Sequence, residues 1–240
     1  MDIKDLGKEK REEQPLRVVI YGAAGAGKTT LVRDFPKPML VYDFDGKYEP
    51  LLGEKDIYMK SFSVSDIGES LKVWTNVWNN WKKDKRDERW NTIVLDSLTS
   101  LDSVMFPAMV QAQGFNPEVL KDYKANTLQI YGEVKLKYNT LFNSMRSCTK
   151  NVVVLAHESY NLDSTGKLDS ITPLVLGSTK ETLPAIFKDT WYLELKGEGD
   201  RMRRVLHMRR FKKRIASTTS MTGSPIENPT YTKIKEEWIK

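Results

Sequence analysis

A glycine-rich loop between an apolar run and a helix-forming stretch constrains the fold of this 240-residue chain more than any other feature. The apolar run LRVVIY begins at Leu16, the loop GAAGAGKT spans Gly22 to Thr29, and the following stretch ends before Pro36. This loop fits the pattern G-x-x-x-x-G-K-[ST], in which small residues let backbone N–H groups surround a phosphate. A flexible glycine turn is the structural alternative, but the position between a strand and a helix favours a phosphate-binding loop.

The same pattern assigns roles within the loop. The Lys28 side chain is expected to reach the β- and γ-phosphates of a nucleotide, and the Thr29 hydroxyl to bind Mg²⁺. We therefore predict ATP and Mg²⁺ as ligands. The residues predicted to bind the nucleotide are Gly22, Ala23, Gly25, Ala26, Gly27, Lys28, Thr29 and Thr30.

Apolar runs alternate with helical stretches over most of the chain. After the loop, the predicted strands are 39–44, 57–62, 92–96 and 151–157. An amphipathic helix is predicted over 66–83, and its stripe of Leu71, Trp74, Trp78 and Trp81 is interpreted as core packing rather than as a base-stacking platform. Two more helical stretches run from the residues after 96 to about Thr149. This order predicts an α/β fold with a mostly parallel sheet and helices on both faces.

The rest of the chain is predicted to be less regular. A polar loop is expected over 158–180, and the segments flanking 196–200 are expected to form a β-hairpin. We predict a flexible charged tail over 1–15, a core over 16–215, and a loose segment with a short helix over 216–240.

Acidic residues follow two of the predicted strands. Asp96 ends an apolar run and is expected to hold the metal together with Thr29, although an Asp before a helix is also a common N-cap. Ser97 follows it, so the acid that activates water must come from another strand. Asp45 follows the second strand and is predicted to activate water, while Asp43 supports the strand end. Because Asp45 precedes Gly46, a simple turn is the alternative.

Five segments of the chain together resemble the phage-encoded RecA-like P-loop ATPases. They are GAAGAGKT, VYDFDG, TIVLDSLTSL, the pair Tyr131–Gly132 and NVVVLAHES. These are short RecA/RadA-core proteins of phage recombination and single-strand annealing. The resemblance covers about residues 16–215 and implies a RecA-like, ASCE-type fold. It also implies ATP hydrolysis, binding of single-stranded DNA, a homo-oligomeric ring or filament, and contact with a phage single-strand-binding or replication protein. RecA carries Glu where this chain has Asp45, and the resemblance does not extend to RecA's additional terminal domains.

The resemblance also implies roles for residues near the C-terminal half. His157 occupies the place of a residue that senses the γ-phosphate, and the loop 158–180, with Lys167 and Lys180, occupies the place of a DNA-binding loop. Lys212 and Arg214 resemble an element that enters the neighbouring subunit's nucleotide site, where a cation stabilises the transferring phosphoryl group. A plain surface role for these two residues is the alternative.

Basic charge is concentrated in one segment. Residues 196–214 contain nine Lys and Arg and two acidic residues, and the whole chain has a net charge of +6, so the remainder is close to neutral. Such a stripe can attract a polyanion, although a solvated surface is the alternative. We predict that five arginines of this segment face nucleic acid, namely Arg201, Arg203, Arg204, Arg209 and Arg210.

Several classes of protein are disfavoured. The most apolar runs, such as 152–156, are far shorter than a membrane-spanning helix, so no membrane partner is expected. The charged N-terminus lacks the apolar region of a secretory signal, and Cys148 is the single cysteine, which together predict a cytoplasmic protein. Two other functions share a phosphate-binding loop and stay open at this stage. They are a small-molecule kinase and a nucleotide-dependent loader or scaffold with weak ATPase activity.

Overall fold

The computed structural model describes residues 14–237 except for positions 65, 178, 188 and 220. The predicted charged tail over 1–15 therefore lies almost entirely outside the described residues. Within the described part of the chain, no helix combines the length and the apolar character that crossing a bilayer requires.

Strands and helices alternate through the first two thirds of the chain, as the sequence predicts. The strands are β1 Arg17–Gly22, β2 Met39–Asp43, β3 Ile57–Ser61, β4 Thr92–Asp96, β5 Asn151–Leu162, β6 Leu168–Pro173, β7 Asp189–Lys196, β8 Arg203–His207 and β9 Ile226–Glu227. The α-helices are α1 Lys28–Val32, α2 Ser70–Asp84, α3 Leu98–Ala112, α4 Leu120–Tyr123, α5 Thr127–Arg146, α6 Thr179–Ile186 and α7 Tyr231–Glu236.

One mostly parallel sheet organises the molecule. Its strand order is β3-β2-β4-β5-β1-β7-β8-β9, and β6 pairs with β5 outside this path. The first six strands in this order are parallel, whereas β8 and β9 pair antiparallel. Because parallel strands share one carboxyl edge, the ends of β1, β2, β4 and β5 meet there. The predicted site residues end or directly follow these strands in the chain, so they lie at that edge.

Two hydrophobic clusters cover the two faces of the sheet. Helices α2, α3 and α5 pack on one face, and α1 and α7 pack on the other. On α2, Trp74 and Trp81 are buried and Trp78 packs against the same cluster, so the tryptophan stripe is confirmed as core. Strands covered on both faces read as continuous apolar runs, which explains why β1, β4 and β5 were predictable. The α/β P-loop fold with helices on both faces is confirmed.

The interpretation of 158–180 as one polar loop is wrong. β5 continues to Leu162, turns, and returns as β6, and α6 begins at Thr179. The polar run is the hairpin turn: the Asp163 side chain accepts hydrogen bonds from the backbone N–H of Thr165 at 2.8 Å and of Lys167 at 3.0 Å. Gly166 in this turn has φ of 78°. Turn-forming residues between two short strands look the same in sequence as those of a long loop.

The segment 216–240, which the sequence predicts to be loose, packs against the core in its described part. β9 pairs with β8, and Met221, Ile226 and Ile234 are buried in the cluster that contains α1. The expected short helix is present as α7, with the Thr230 side chain accepting a hydrogen bond from Lys233 N–H. The apolar residues that anchor this segment are widely spaced, so no periodic pattern reveals them. The predicted β7–β8 hairpin is confirmed.

Candidate nucleotide-binding site

The glycine loop joins β1 to α1 at the carboxyl edge of the sheet. Gly27 precedes α1 in a left-handed conformation with φ of 89°, which favours glycine. At Gly22, a Cβ atom would lie 2.3 Å from the carbonyl oxygen of Leu193 in β7, so only glycine fits there. Both constraints come from the backbone, and they give the loop the close curvature that a phosphate requires.

Lys28 is held inside this loop. Its side chain is buried, and Nζ donates hydrogen bonds to the carbonyl oxygens of Gly22 at 2.9 Å and Ala23 at 2.8 Å. Burial lowers the pKa of Lys28, and the nearby carboxylates of Asp96 and Asp45 oppose that shift. The ammonium group therefore lies where the loop can deliver it to a bound phosphate.

Thr29 and Asp96 meet beside the loop. The Thr29 hydroxyl donates a 2.7 Å hydrogen bond to Asp96 Oδ2. Burial is the main reason that the pKa of Asp96 rises to about 6, and the neighbouring carboxylates of Asp45 and Asp43 raise it further. A hydroxyl and a carboxylate are oxygen ligands of the kind that Mg²⁺ binds, so these two residues fit the ion. In the described ranges no three His, Cys, Asp or Glu side chains form a metal cluster, so the remaining ligands would be water and phosphate.

Asp45 lies at the same edge, one strand further along. Ser97 Oγ donates to Asp45 Oδ1 at 3.1 Å, and His157 Nε2 lies 3.7 Å from Asp45 Oδ2. Burial raises the pKa of Asp45, but hydrogen bonds from His157, Ser100 and Ser97 outweigh burial and hold the pKa below its usual value. Asp45 is therefore an ionised, oriented carboxylate.

The turn after β2 and the role of Asp45 are compatible. Asp43 accepts hydrogen bonds from the backbone N–H of Asp45 at 3.2 Å and of Gly46 at 2.9 Å. Asp43 thus supports the strand end, as the sequence suggests. The Asp45 side chain takes no part in these turn hydrogen bonds and is directed at Ser97 and His157.

His157 lies between the loop and Asp96 because β5 is inserted between β1 and β4. It pairs in register with Gly22, and its backbone N–H donates to Thr99 Oγ1 at 2.9 Å. Thr99 in turn donates to the carbonyl oxygen of Leu174 at 2.9 Å. Thr99 is not among the residues predicted from the sequence, since a threonine in the first turn of a helix carries no distinctive signal.

The five arginines predicted to face nucleic acid do not share one surface. Arg203 and Arg204 are consecutive in β8, so their side chains point to opposite faces of the sheet. Arg203 is exposed and lies 3.2 Å from the Glu227 carboxylate. Arg209 packs on Gly223, where an added Cβ atom would be 2.2 Å from its Nε. Arg201 and Arg210 are exposed.

Of these five arginines, Arg204 differs most from its predicted place on a nucleic-acid surface. An added Cβ atom at Gly27 would lie 2.1 Å from Arg204 Nε and 2.8 Å from its Cζ. The guanidinium group therefore packs directly on the phosphate-binding loop. The sequence offers no signal for this contact, because 177 positions separate the two residues and β8 reaches the loop only through the sheet order.

Lys212 and Arg214 belong to a tight turn that pairs with β6 at Ile171. The Arg214 guanidinium lies 4.7 Å from the centroid of the Tyr192 ring of its own chain. Lys212 is exposed and has φ of 52°. Lys212 Nζ lies 5.1 Å from the centroid of the neighbouring Phe211 ring but stays on the surface, whereas Arg214 is only partly exposed and packs on Tyr192.

Of the two lysines predicted for DNA binding, Lys167 lies in the turn of the β5–β6 hairpin, whereas Lys180 lies on α6 and contacts the hairpin. Lys167 is exposed, and Lys180 Nζ donates to Asn161 Oδ1 at 2.8 Å. Tyr160 on the same hairpin is 59% exposed and is not among the residues predicted from the sequence. A strand with alternating exposed residues would have been the signal, had the segment not been interpreted as a loop.

The fold and the loop define a P-loop nucleotide-binding domain. A family described as the AAA domain matches residues 14–220, and the chain belongs to this family. The AAA domain is a nucleotide-binding ATPase domain of the P-loop class. No curated protein shows significant similarity to the chain.

Proposed function

We propose that this protein binds and hydrolyses ATP with Mg²⁺ at the loop Gly22–Thr29. One observation carries the proposal: three groups suited to the reaction converge at one sheet edge although they come from distant parts of the chain. These are the Lys28 ammonium, the Thr29–Asp96 pair and the Asp45 carboxylate. A loop that only turned the chain would not require the other two.

Binding follows from the geometry of the loop. The ammonium group of Lys28 exchanges its two carbonyl acceptors for the β- and γ-phosphate oxygens of ATP. Thr29 and Asp96 would hold the magnesium ion, Asp96 through water. When bound, Mg²⁺ neutralises charge on the β- and γ-phosphates.

Asp45 orients the attacking water. Its lowered pKa makes it a weak base, so its main contribution is to accept a hydrogen bond from water and align the oxygen with the γ-phosphorus. Ser97 and His157 fix the orientation of the carboxylate. Because Asp is one methylene shorter than Glu, the water sits further from its ideal position, and we expect slow turnover.

Phosphate release from ATP tests this proposal. Asp45→Asn should reduce kcat by about 100-fold or more while leaving the Kd for ATP nearly unchanged, since the side chain acts on water rather than on ATP. Lys28→Ala should abolish ATP binding. Asp34→Asn, an acid outside the site, is the matched control. Transfer of phosphate to a small-molecule acceptor in preference to water would instead support a kinase.

We also propose that single-stranded DNA binds at the β5–β6 hairpin, in an oligomer. The exposed Tyr160 ring offers a stacking surface for a base, and Lys167 and Lys212 supply cations nearby. Lys213 donates to the carbonyl oxygen of Leu168, which holds the Lys212 turn against the hairpin. In an oligomer, the exposed Lys212 could then contact the phosphates of ATP in a neighbouring subunit.

Fluorescence anisotropy with labelled oligonucleotides tests the DNA surface. Tyr160→Ala should weaken binding of single-stranded DNA about 5- to 100-fold, as expected for the loss of one base stack. Lys167→Ala should lower both the affinity and the salt dependence. Lys72→Ala, an exposed lysine of α2, is the control. Equal affinity of all these variants would remove the hairpin as the DNA site.

A second candidate is a loader or scaffold that binds ATP but scarcely hydrolyses it. The short Asp45 side chain is the observation that favours it. In that case DNA or protein binding would respond to ATP, and Asp45→Asn would leave this response intact.

A further inference from the structure

The phosphate-binding loop contacts a cation that does not belong to its motif. Arg204 comes from β8, beyond the end of β1 in the sheet, and its guanidinium group packs on Gly27. Gly27 is the residue immediately before Lys28. Two basic side chains from distant parts of one chain therefore meet the same short loop.

Arg204 has no internal partner that explains this position. Its Nε is buried and has no hydrogen-bond acceptor among the described residues. None of the ion pairs within the described ranges involves it. The guanidinium charge is therefore unpaired within the described residues, and an anion bound at the loop would supply a partner for its terminal N–H groups.

The backbone of Arg204 is held in place by the C-terminal segment. Arg204 N–H lies 3.2 Å from Asn228 Oδ1, and Asn228 N–H donates to the Arg204 carbonyl oxygen at 2.7 Å. Asn228 has φ of 43°, a conformation that asparagine tolerates better than most residues. The side chain therefore projects from a fixed strand rather than from a mobile loop.

The position of Arg204 in the sheet places it beside the phosphate-binding loop. It pairs with Leu195, two residues past Leu193, whose carbonyl oxygen packs on Gly22. Arg204 thus lies beyond the carboxyl end of β1, on the face that α1 covers. Arg203, its neighbour, points to the other face and lies beside Glu227.

We propose that Arg204 binds the phosphate chain of the nucleotide from the same subunit, as a second cation beside Lys28. This inference rests on the proposed function, since it assigns a further ligand to the same site. A planar guanidinium presents several N–H donors, so it can contact phosphate oxygens while its stem stays on Gly27. Arg204 is then a nucleotide-binding residue and takes no part in the DNA surface.

Affinities for ATP and ADP, measured by calorimetry at low and moderate salt, test the inference. Arg204→Met keeps the aliphatic stem on Gly27 and removes the charge, and it should weaken both affinities about 10- to 100-fold. Arg204→Lys should recover part of the loss, since it restores charge but not the planar group. The salt dependence of ATP binding should become shallower in Arg204→Met.

Arg203→Met is the matched control, because it removes an equal charge from the adjacent residue. It should leave both nucleotide affinities unchanged. The inference is overturned if Arg204→Met binds ATP and ADP as the unsubstituted protein does, or if Arg203→Met weakens them equally. Unfolding temperatures of the nucleotide-free variants separate lost binding from lost structure: a variant that melts with the unsubstituted protein but binds weakly supports the inference. Failure of the unsubstituted protein to bind ATP would overturn the proposed function, and this inference with it.

Discussion

At the scale of single residues, the site buries charged side chains whose burial is favourable only when opposite charges lie beside them. The side chains of Lys28, Asp96 and Asp45 are all largely buried; Lys28 and Asp96 shift each other's pKa, and Asp45 shifts the pKa of both. Burying charges without partners is costly, so nucleotide and metal would relieve an existing electrostatic strain. We therefore expect that binding of nucleotide and Mg²⁺ raises the free energy of unfolding of the protein.

Asp96 makes this cost measurable. Its folded-state pKa of about 6 exceeds the value near 3.9 expected in the unfolded chain, so the folded state binds more protons between these values. Stability that Asp96 contributes below pH ~4 is then lost as the pH rises towards 6. Asp96→Asn should therefore stabilise the nucleotide-free protein at pH 7.5, by on the order of 3 kcal/mol.

Urea unfolding at two pH values checks this prediction. At pH near 4 the difference between Asp96→Asn and the unsubstituted protein should nearly vanish, because Asp96 is then protonated as well. A variant that is equally destabilised at both pH values would show that the Thr29 hydrogen bond, rather than burial of charge, governs this position. Asp96→Asn should also lose the Mg²⁺ dependence of nucleotide binding.

At the scale of elements, predictability follows the strength of the local pattern. β1, β4 and the first half of β5 are continuous apolar runs, and the loop after β1 has a fixed spacing, so both were predicted. The β5–β6 hairpin was missed because its turn residues resemble those of an irregular loop. The contact of Arg204 with Gly27 depends on strand order, which no local pattern encodes.

The C-terminal segment gives an element-scale prediction. Ile234 on α7 is fully buried against the cluster that contains α1, so Ile234→Ala should lower the free energy of unfolding by about 2 to 5 kcal/mol. Leu128→Ala, which removes an apolar side chain that is 89% exposed on α5, should change it by about 0.5 kcal/mol or less. Urea unfolding of both variants measures the difference. Equal stability would mean that the segment is loose after all.

At the scale of the whole molecule, the carboxyl edge of one sheet unites all the proposed activities. The nucleotide loop, Asp45 and His157 lie at the ends of the central strands, and β5 continues from His157 directly into the hairpin proposed for DNA. We therefore propose β5 as the route by which a change at the γ-phosphate would affect the hairpin. The basic charge is not spread evenly over this edge, since Arg204 of β8 packs on Gly27 of the nucleotide loop and Arg203 points to the opposite face of the sheet.

The rate of ATP hydrolysis per molecule, measured with and without single-stranded DNA over a wide range of protein concentrations, tests the central claim most directly. If each site is completed by Lys212 of a neighbouring subunit and coupled to the hairpin, the rate should rise with protein concentration and rise again with DNA. Lys212→Ala should remove the dependence on concentration while leaving ATP binding intact. A rate that is independent of both protein concentration and DNA would contradict the account.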